Sequence, residues 1–399
     1  MPMAIFGVWM WPKSVRVDGA EAVVSRCKRA GVTDIYFLTK GMAGTVSYRS
    51  ELAPMDCERD LLGELLEAAH KAQIRVHAWF TSASDASYKD KHPESGRYHY
   101  IKGRNQGLIS LVDEEYIAYM ADVTRELCSN YPVDGLHLDY IRYNHLVYGW
   151  SEEDQARYAA EGADLNHLRA MMDRAFRDEE GPENFFEAYR QGDESVHALA
   201  RVRRKDVVHF ATTLTSVARE TKPDIILSAA LMPEGAYDDI AFSDVHYGQN
   251  YEDAAKLYDY ALPMAYSQAY GKDGAWVRDV ALGTMKRGMQ TIVGVHAYEG
   301  GTGETLQADI AALQDVPVAG VCLFREGATV LAFLADGGID VHNPLEEAVT
   351  RIDARRGEEW VSIDCIIQPG EEKNVPLAFE PEGLRAFTGE KEVSIYLAR

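Results

Sequence analysis

The sequence predicts an α/β fold, a (β/α)8 barrel with a helical insertion after its fourth strand and a small C-terminal β module. Three observations predict it. Short apolar runs alternate with amphipathic stretches along most of the chain, as βα units of a parallel sheet require. Eight such runs can be counted, the number that closes a barrel. The turn after the first run, Trp11-Pro12-Lys13-Ser14, lacks the glycine-rich fingerprint of the competing doubly wound sheet.

The eight runs are Ile5 to Trp11, Asp34 to Thr39, Arg75 to Phe80, Gly135 to Ile141, Ile225 to Met232, Tyr260 to Tyr266, Thr291 to Tyr298 and Val318 to Phe324. Helical periodicity fits between them at Gly19 to Ala30, Cys57 to Ala72, Glu114 to Asn130, Arg201 to Thr221, Asn250 to Asp259, Gly274 to Arg287 and Leu306 to Gln314. Gly31 and Gly288 follow two of these as C-cap candidates, and Pro132 and Pro223 stand just beyond two others. Between the fourth and fifth runs, residues 144–200 are charged, aromatic-rich and helical in propensity. They read as an inserted, lid-like subdomain, because extensions of barrel enzymes concentrate in the loops after strands. The barrel is expected to span 1–345. Residues 346–399, with strand-like pieces at Trp360 to Ile367, Val375 to Phe379 and Val393 to Leu397, are expected to form a β module too small to stand without packing on the barrel.

Composition narrows the function classes. The 399 residues carry 63 acids against 41 bases, a formal charge of -22 that disfavours nucleic acid and anionic membrane surfaces as partners. No run is long and apolar enough to predict membrane insertion. Cys27, Cys57, Cys128, Cys322 and Cys365 show no paired spacing and read as reduced thiols. The N-terminus enters an apolar strand at once, which fits either an intracellular protein or one whose leader has been removed. A homo-oligomer is compatible with the sequence.

The stretch Val133 to Tyr143 is the most informative, because its apolar run ends in an acid, an aromatic and an arginine. Leu136 and Leu138 demand a covered sheet, so Asp139 falls where a parallel strand emerges at its carboxyl end. A structural Asp139–Arg142 ion pair is the plainer alternative. If the strands close, their ends bring together Trp9, Trp11, Lys40, His77, Trp79, His137, Asp139, Glu234, Tyr266, His296, Tyr298, Glu299 and Glu326. Carboxylates among aromatic rings suit carbohydrate, whose C–H faces pack on indole and phenol while the carboxyl groups handle protons. Trp9 and Trp79 could instead fill the core, and His77 and His296 could be hydrogen-bonded core histidines.

Hydrolysis of a glycosidic bond needs two carboxyl groups, one protonated and one ionised. Asp139 is the first candidate, tuned by Arg142 and His137, and Glu234 the second. Glu234 follows the small-residue strand Ser228 to Met232 and shares parity with Ser228 and Ala230. Glu299 and Glu326 are rivals. No cofactor and no metal are expected, although a metal-dependent isomerase or hydrolase using His77, His137, Asp139, His246 and His296 is an alternative. A carbohydrate-binding barrel without turnover is another. Gly300-Gly301-Thr302-Gly303 could cradle a phosphate, but reads more simply as a glycine-rich turn.

These residues also resemble a known group. Val133 to Tyr143 is similar to the DGIHLDYIRYP block of the bacterial family-10-like glycosyl hydrolases, which are TIM barrels. The likeness extends through Lys40-Gly41 with Tyr48-Arg49-Ser50, Val76 to Phe80, Arg203 to Val208 leading into Leu227 to Ala230, Gly248 to Tyr251, and Leu262 to Ser267. It implies a glycosidase in which Asp139 is the fourth-strand acid and His77, Arg142 and Tyr266 occupy pocket positions. Characterised relatives are secreted or envelope enzymes acting on peptidoglycan or other polysaccharides. Two departures stand out: Asn144 replaces the usual proline, and Gln249-Asn250-Tyr251 replaces Gln-Asp-Trp.

Overall fold

The computed structural model describes residues 4–398. Eight parallel strands close in sequence order: β1 (Ile5–Met10), β2 (Asp34–Lys40), β3 (Arg75–Thr81), β4 (Gly135–Asp139), β5 (Ile226–Leu231), β6 (Tyr260–Ala265), β7 (Ile292–His296) and β8 (Gly320–Phe324). The pairing of Ile5 to Val8 with Gly320 to Leu323 seals the barrel.

Strand parity sorts the side chains into layers. At the floor, where the strands begin, His77 Nε2 meets Asp34 Oδ1 at 2.8 Å, and Arg75 reaches the same carboxylate at 2.8 Å. His77 occupies space a larger neighbour would need: a Cβ on Gly135 would lie 2.1 Å from its Nδ1. Above the floor, Trp9, Tyr36, Trp79, Leu262, Ile292 and Cys322 pack as the barrel's inner core. A Cβ on Gly294 would fall 2.8 Å from the Trp9 indole, so glycine there admits the ring.

Helices cover the outside. Among them are Ala20–Arg29, Leu61–Lys71, Glu114–Asn130, Gly274–Lys286 and Gly303–Ala311, close to the ranges read from periodicity. The fifth connection differs. Its expected helix shrinks to one turn, Tyr251–Ala254, because the chain must return to the sheet at once, with the Asp259 amide donating to Leu227 O at 2.8 Å. The third connection adds an antiparallel hairpin, Gly96–His99 with Gly103–Ile109, which was not among the expected elements.

The insertion contains helices Glu152–Ala160, Leu165–Phe176 and Glu183–Arg190, and then runs straight into the barrel's own helix, a continuous Glu194–Thr221. It has its own core, including Trp150, Tyr158, Leu168, Met172, Phe185, Phe186 and Leu199. Two buried arginines tie its base down. Arg97, from the hairpin, donates to Arg142 O and Asn144 Oδ1, each at 2.9 Å. Arg203, from the long helix, donates to Leu146 O at 3.0 Å and to Tyr148 O.

The C-terminal strands form two four-stranded sheets. Val330–Ala335 and Gly338–His342, which fall within the expected barrel range of 1–345, pair instead with Ile395–Ala398 and Glu372–Pro376. The module therefore has an apolar core of its own, with Val341, Ile352, Ala354 and Ala386 fully buried. It packs on the barrel through Tyr396 against Phe6 and through Arg29, which bridges to Asp340 and Glu372. Among the described residues no helix is long and apolar enough to cross a membrane.

The floor predicts an acid-sensitive component of stability. Burial would raise the Asp34 carboxyl, but the His77 and Arg75 hydrogen bonds win and hold it at about 2. Because the folded value lies below the unfolded one, the contribution is complete above about pH 4 and disappears as pH falls toward about 2. Denaturant melts from pH 5 to pH 2 should therefore show a loss of about 2 kcal/mol traceable to this residue. Asp34→Asn should flatten that part of the profile while lowering stability at neutral pH.

Candidate active site

Asp139 ends β4 at the mouth and is almost completely buried. Every neighbour that contacts its oxygens donates. Trp79 Nε1 reaches Oδ2 at 3.2 Å, while the Tyr140 amide and Arg142 Nη1 reach Oδ1 at 2.7 and 3.1 Å. The chain makes this possible by turning sharply: Tyr140 has φ of 62°, a left-handed conformation costly for a non-glycine residue, and Arg142 folds back over its ring at 4.6 Å. Three N–H donors thus converge on its two oxygens.

Glu234 lies on the neighbouring strand's exit, in the short turn Pro233–Ala236 after β5. Its setting is opposite. Burial pushes its carboxyl up, against weaker pulls from a backbone hydrogen bond, from Tyr270 and from the Arg142 charge. Tyr270 donates its hydroxyl to Oε1 at 3.2 Å, and Oε2 is buried without a hydrogen-bond partner among the described residues. Arg142 thus bonds one carboxylate while its charge reaches the other. The two are also tied through the backbone, because Gln249 accepts the Met232 amide at 2.9 Å and directs its NH2 toward Ile141 O at 3.5 Å.

Aromatic rings line the mouth beside Asp139. Phe324 is their hub, with Tyr266 at 5.3 Å, Tyr298 at 5.5 Å and Trp79 at 6.3 Å between ring centroids, and it rests on Trp9 below at 5.7 Å. His296 stacks on Tyr298 at 3.9 Å and 9°, and burial holds its pKa down. Trp11 stands on the rim, 38% exposed, with the Arg325 guanidinium 3.5 Å above its ring.

The structure therefore gathers Asp139, Glu234, Arg142, Trp79, Tyr266, His296 and Tyr298, with Trp11 apart from them on the rim against Arg325. It places the other candidates elsewhere. Trp9 and His137 lie one layer down, where Trp9 Nε1 donates to His137 Nε2 at 3.1 Å and His137 Nδ1 meets Ser228 Oγ at 2.9 Å. Burial drives the His137 pKa well below its ordinary value, leaving a neutral ring inside the barrel. His77 belongs to the floor. Lys40 is fully buried in the loops, held by Asp85 and Ser84 O at 3.0 Å each. Glu299 faces the C-terminal module and pairs with Lys391 at 2.7 Å. Glu326 points to the outside of the barrel, accepting from Ser14 and lying 4.0 Å from Arg26.

The same sorting separates the alternative metal ligands. His77, His137 and Asp139 occupy three levels, while His246 stacks on Phe242 at 4.6 Å beside the insertion. Among the described residues no group of three His, Cys, Asp or Glu side chains is arranged to hold a metal ion.

Phe324, Tyr270 and Gln249 carry weight that sequence reasoning missed. Phe324 was visible as the last residue of the eighth run. Gln249 sat within a motif already noted for its resemblance. Tyr270 lies in a loop beyond β6, where strand parity has no reach.

Comparison with known proteins agrees with this architecture. The glycoside hydrolase domain of PgaB (BpsB) from Bordetella bronchiseptica superposes with a TM-score of 0.66 at 14% identity, over 82% of this chain and 94% of that one. The catalytic domain of beta-amylase from Paenibacillus polymyxa gives 0.59 at 10% identity, over 80% and 92%. A beta-galactosidase from Marinomonas ef1 gives 0.58 at 12% identity, over 80% of this chain and 54% of its own. At such identities the likeness shows the fold. No curated protein sequence matches the chain. The model of the family described as glycosyl hydrolase-like 10 matches residues 38–300, more than half of the chain and including both mouth carboxyl groups. The chain belongs to the glycosyl hydrolase-like 10 family.

Proposed function

We propose that this protein is a glycoside hydrolase that cleaves an oligo- or polysaccharide with Asp139 and Glu234 and without a cofactor. One observation carries the reading: two carboxyl groups on adjacent strand exits sit in opposite electrostatic settings within reach of one arginine. Asp139, ringed by donors, serves as nucleophile or as base for water. Glu234, with burial favouring its protonated form, delivers a proton to the departing oxygen from its unpartnered Oε2. Positive charge developing on the sugar would face Asp139, and the rings of Trp79, Tyr266 and Phe324 would exclude water there. The resemblance to glycosidase barrels supports the substrate class. The placement of the histidines on separate levels disfavours the metal-dependent alternative.

Reducing ends released from neutral, acidic and amino-sugar glycans test the reading. Wild type should release them, and both Asp139→Asn and Glu234→Gln should be slower by about 10²-fold or more. Full activity in Asp139→Asn would sink the assignment. Glycan binding by wild type with no release would identify a carbohydrate-binding barrel instead.

The high-pH limb of kcat/KM should follow Glu234, which must be protonated. Tyr270 donates to its charged form and so lowers its pKa; deleting that hydroxyl removes the lowering. Tyr270→Phe is therefore expected to shift the limb to higher pH. A shift in the other direction would show that Glu234 is not the acid.

A further inference from the structure

Glu234 is flanked, on the side away from Asp139's strand, by three aromatic residues, of which Tyr270 tunes the acid and the other two have no part in the catalytic scheme. Tyr237 follows its turn directly. Tyr270 comes from the loop after β6 and Trp276 from the first turn of the helix Gly274–Lys286. The three form one unit: the Tyr270 ring stacks on Trp276 at 5.1 Å and 28°, and Trp276 Nε1 donates to Tyr237 Oη at 2.9 Å. All three stay partly exposed.

Their position relative to the acid is fixed. Asp273 accepts the Trp276 amide at 3.2 Å and so caps the helix. The same helix presses on the acid's turn, since a Cβ on Gly283 would lie 2.1 Å from Ala236 O. Tyr270 touches Glu234 itself. Because Tyr237 Oη accepts from the indole, its own proton remains available to a ligand. Burial and the nearby Glu234 charge push both phenols upward, keeping them as O–H donors.

A general acid stands beside the bond it breaks, so the departing group must lie past Glu234, on the side away from the carboxylate that faces the retained sugar. We propose that Tyr270, Trp276 and Tyr237 form the binding site for the departing sugar ring, whose C–H face lies on the aromatic pair and whose hydroxyl accepts from Tyr237. The inference rests on the glycosidase reading. It makes the substrate a glycan with at least one pyranose beyond the cleaved bond, not a glycoside of a small alcohol.

The experiment compares two leaving groups. One is the sugar released from cello-, chito- or laminarihexaose; the other is fluoride from the corresponding glycosyl fluoride, which has no ring and needs no proton. Trp276→Ala should lose at least about tenfold more kcat/KM on the hexasaccharide than on the fluoride, and Trp276→Phe, which keeps an aromatic face, should recover most of that difference. Equal losses on both substrates would show that Trp276 only supports the fold, and an unaffected hexasaccharide rate would also overturn the proposal. Wild type cleaving the fluorides but no hexasaccharide would defeat this inference while leaving the hydrolase reading intact. Wild type cleaving neither would defeat both.

Discussion

The burial of Asp139 at the end of β4 is the constraint around which the mouth is built. A carboxylate removed from water costs several kcal/mol unless its oxygens are fully engaged, and its arginine partner brings a similar cost. The chain answers with a tight left-handed turn at Tyr140, which brings Arg142 back within 3.1 Å of the acid. That turn leaves carbonyls without helix or sheet partners, and Arg97 and Arg203 take them up. Tyr143 lies between those two guanidiniums, at 5.6 and 4.4 Å, with its hydroxyl on Asp206 at 2.6 Å. The hairpin and the long helix that supply these arginines are thus part of the site's foundation.

Below this layer the barrel insulates the mouth from its own floor. Asp34 and Asp139 are both ionisable and both buried, yet Trp9, Tyr36, Trp79 and a neutral His137 separate them. A protonated histidine in that position would sit unpaired in an apolar interior, so the Trp9 N–H and the Ser228 hydroxyl fix the imidazole as a neutral acceptor and donor. The consequence is a mouth whose electrostatics are set locally by Arg142, with little influence from the floor pair. In that setting desolvation alone can raise Glu234 while its neighbour on the next strand remains surrounded by donors.

Most of the barrel was legible in the sequence because its strands are continuous apolar runs, and Asp139 was legible because a charge ending such a run has few places to go. Ser228 does face inward onto His137, but Glu234 lies three residues beyond Leu231, in the turn Pro233–Ala236, so parity alone did not fix its direction. The same reasoning could not distinguish Glu299 and Glu326, which follow strands seven and eight but turn outward after them to Lys391 and Arg26. Parity lapses within a residue or two of a strand's end, and only a partner reveals the direction. His77 was misleading for a related reason: it points into the barrel as predicted, but at the strand's beginning, where it meets Asp34. The helix Glu194–Thr221 hid the insertion's boundary, because insertion and barrel share one uninterrupted periodicity.

The two departures from the family's pattern acquire a physical meaning in the structure. Asn144 stands where proline is usual, and its carbonyl oxygen accepts from Arg97, a bond that a proline side chain has no atom to make. The loop leading into the insertion is therefore held here by a side chain, where a proline would have held it by restricting the backbone. Gln249 keeps the family residue and shows why an amide suits the position: it accepts from the strand exit that carries Glu234 and faces its NH2 toward a carbonyl on the exit that carries Asp139. Tyr251, in place of tryptophan, reaches Met232 O at 2.7 Å, and its ring lies so close to Gly235 that a Cβ there would stand 2.3 Å away. A tryptophan has no hydroxyl to make that bond. The exits that carry the two carboxyl groups are thus joined by a short polar bridge through Gln249, in addition to the pairing of their strands.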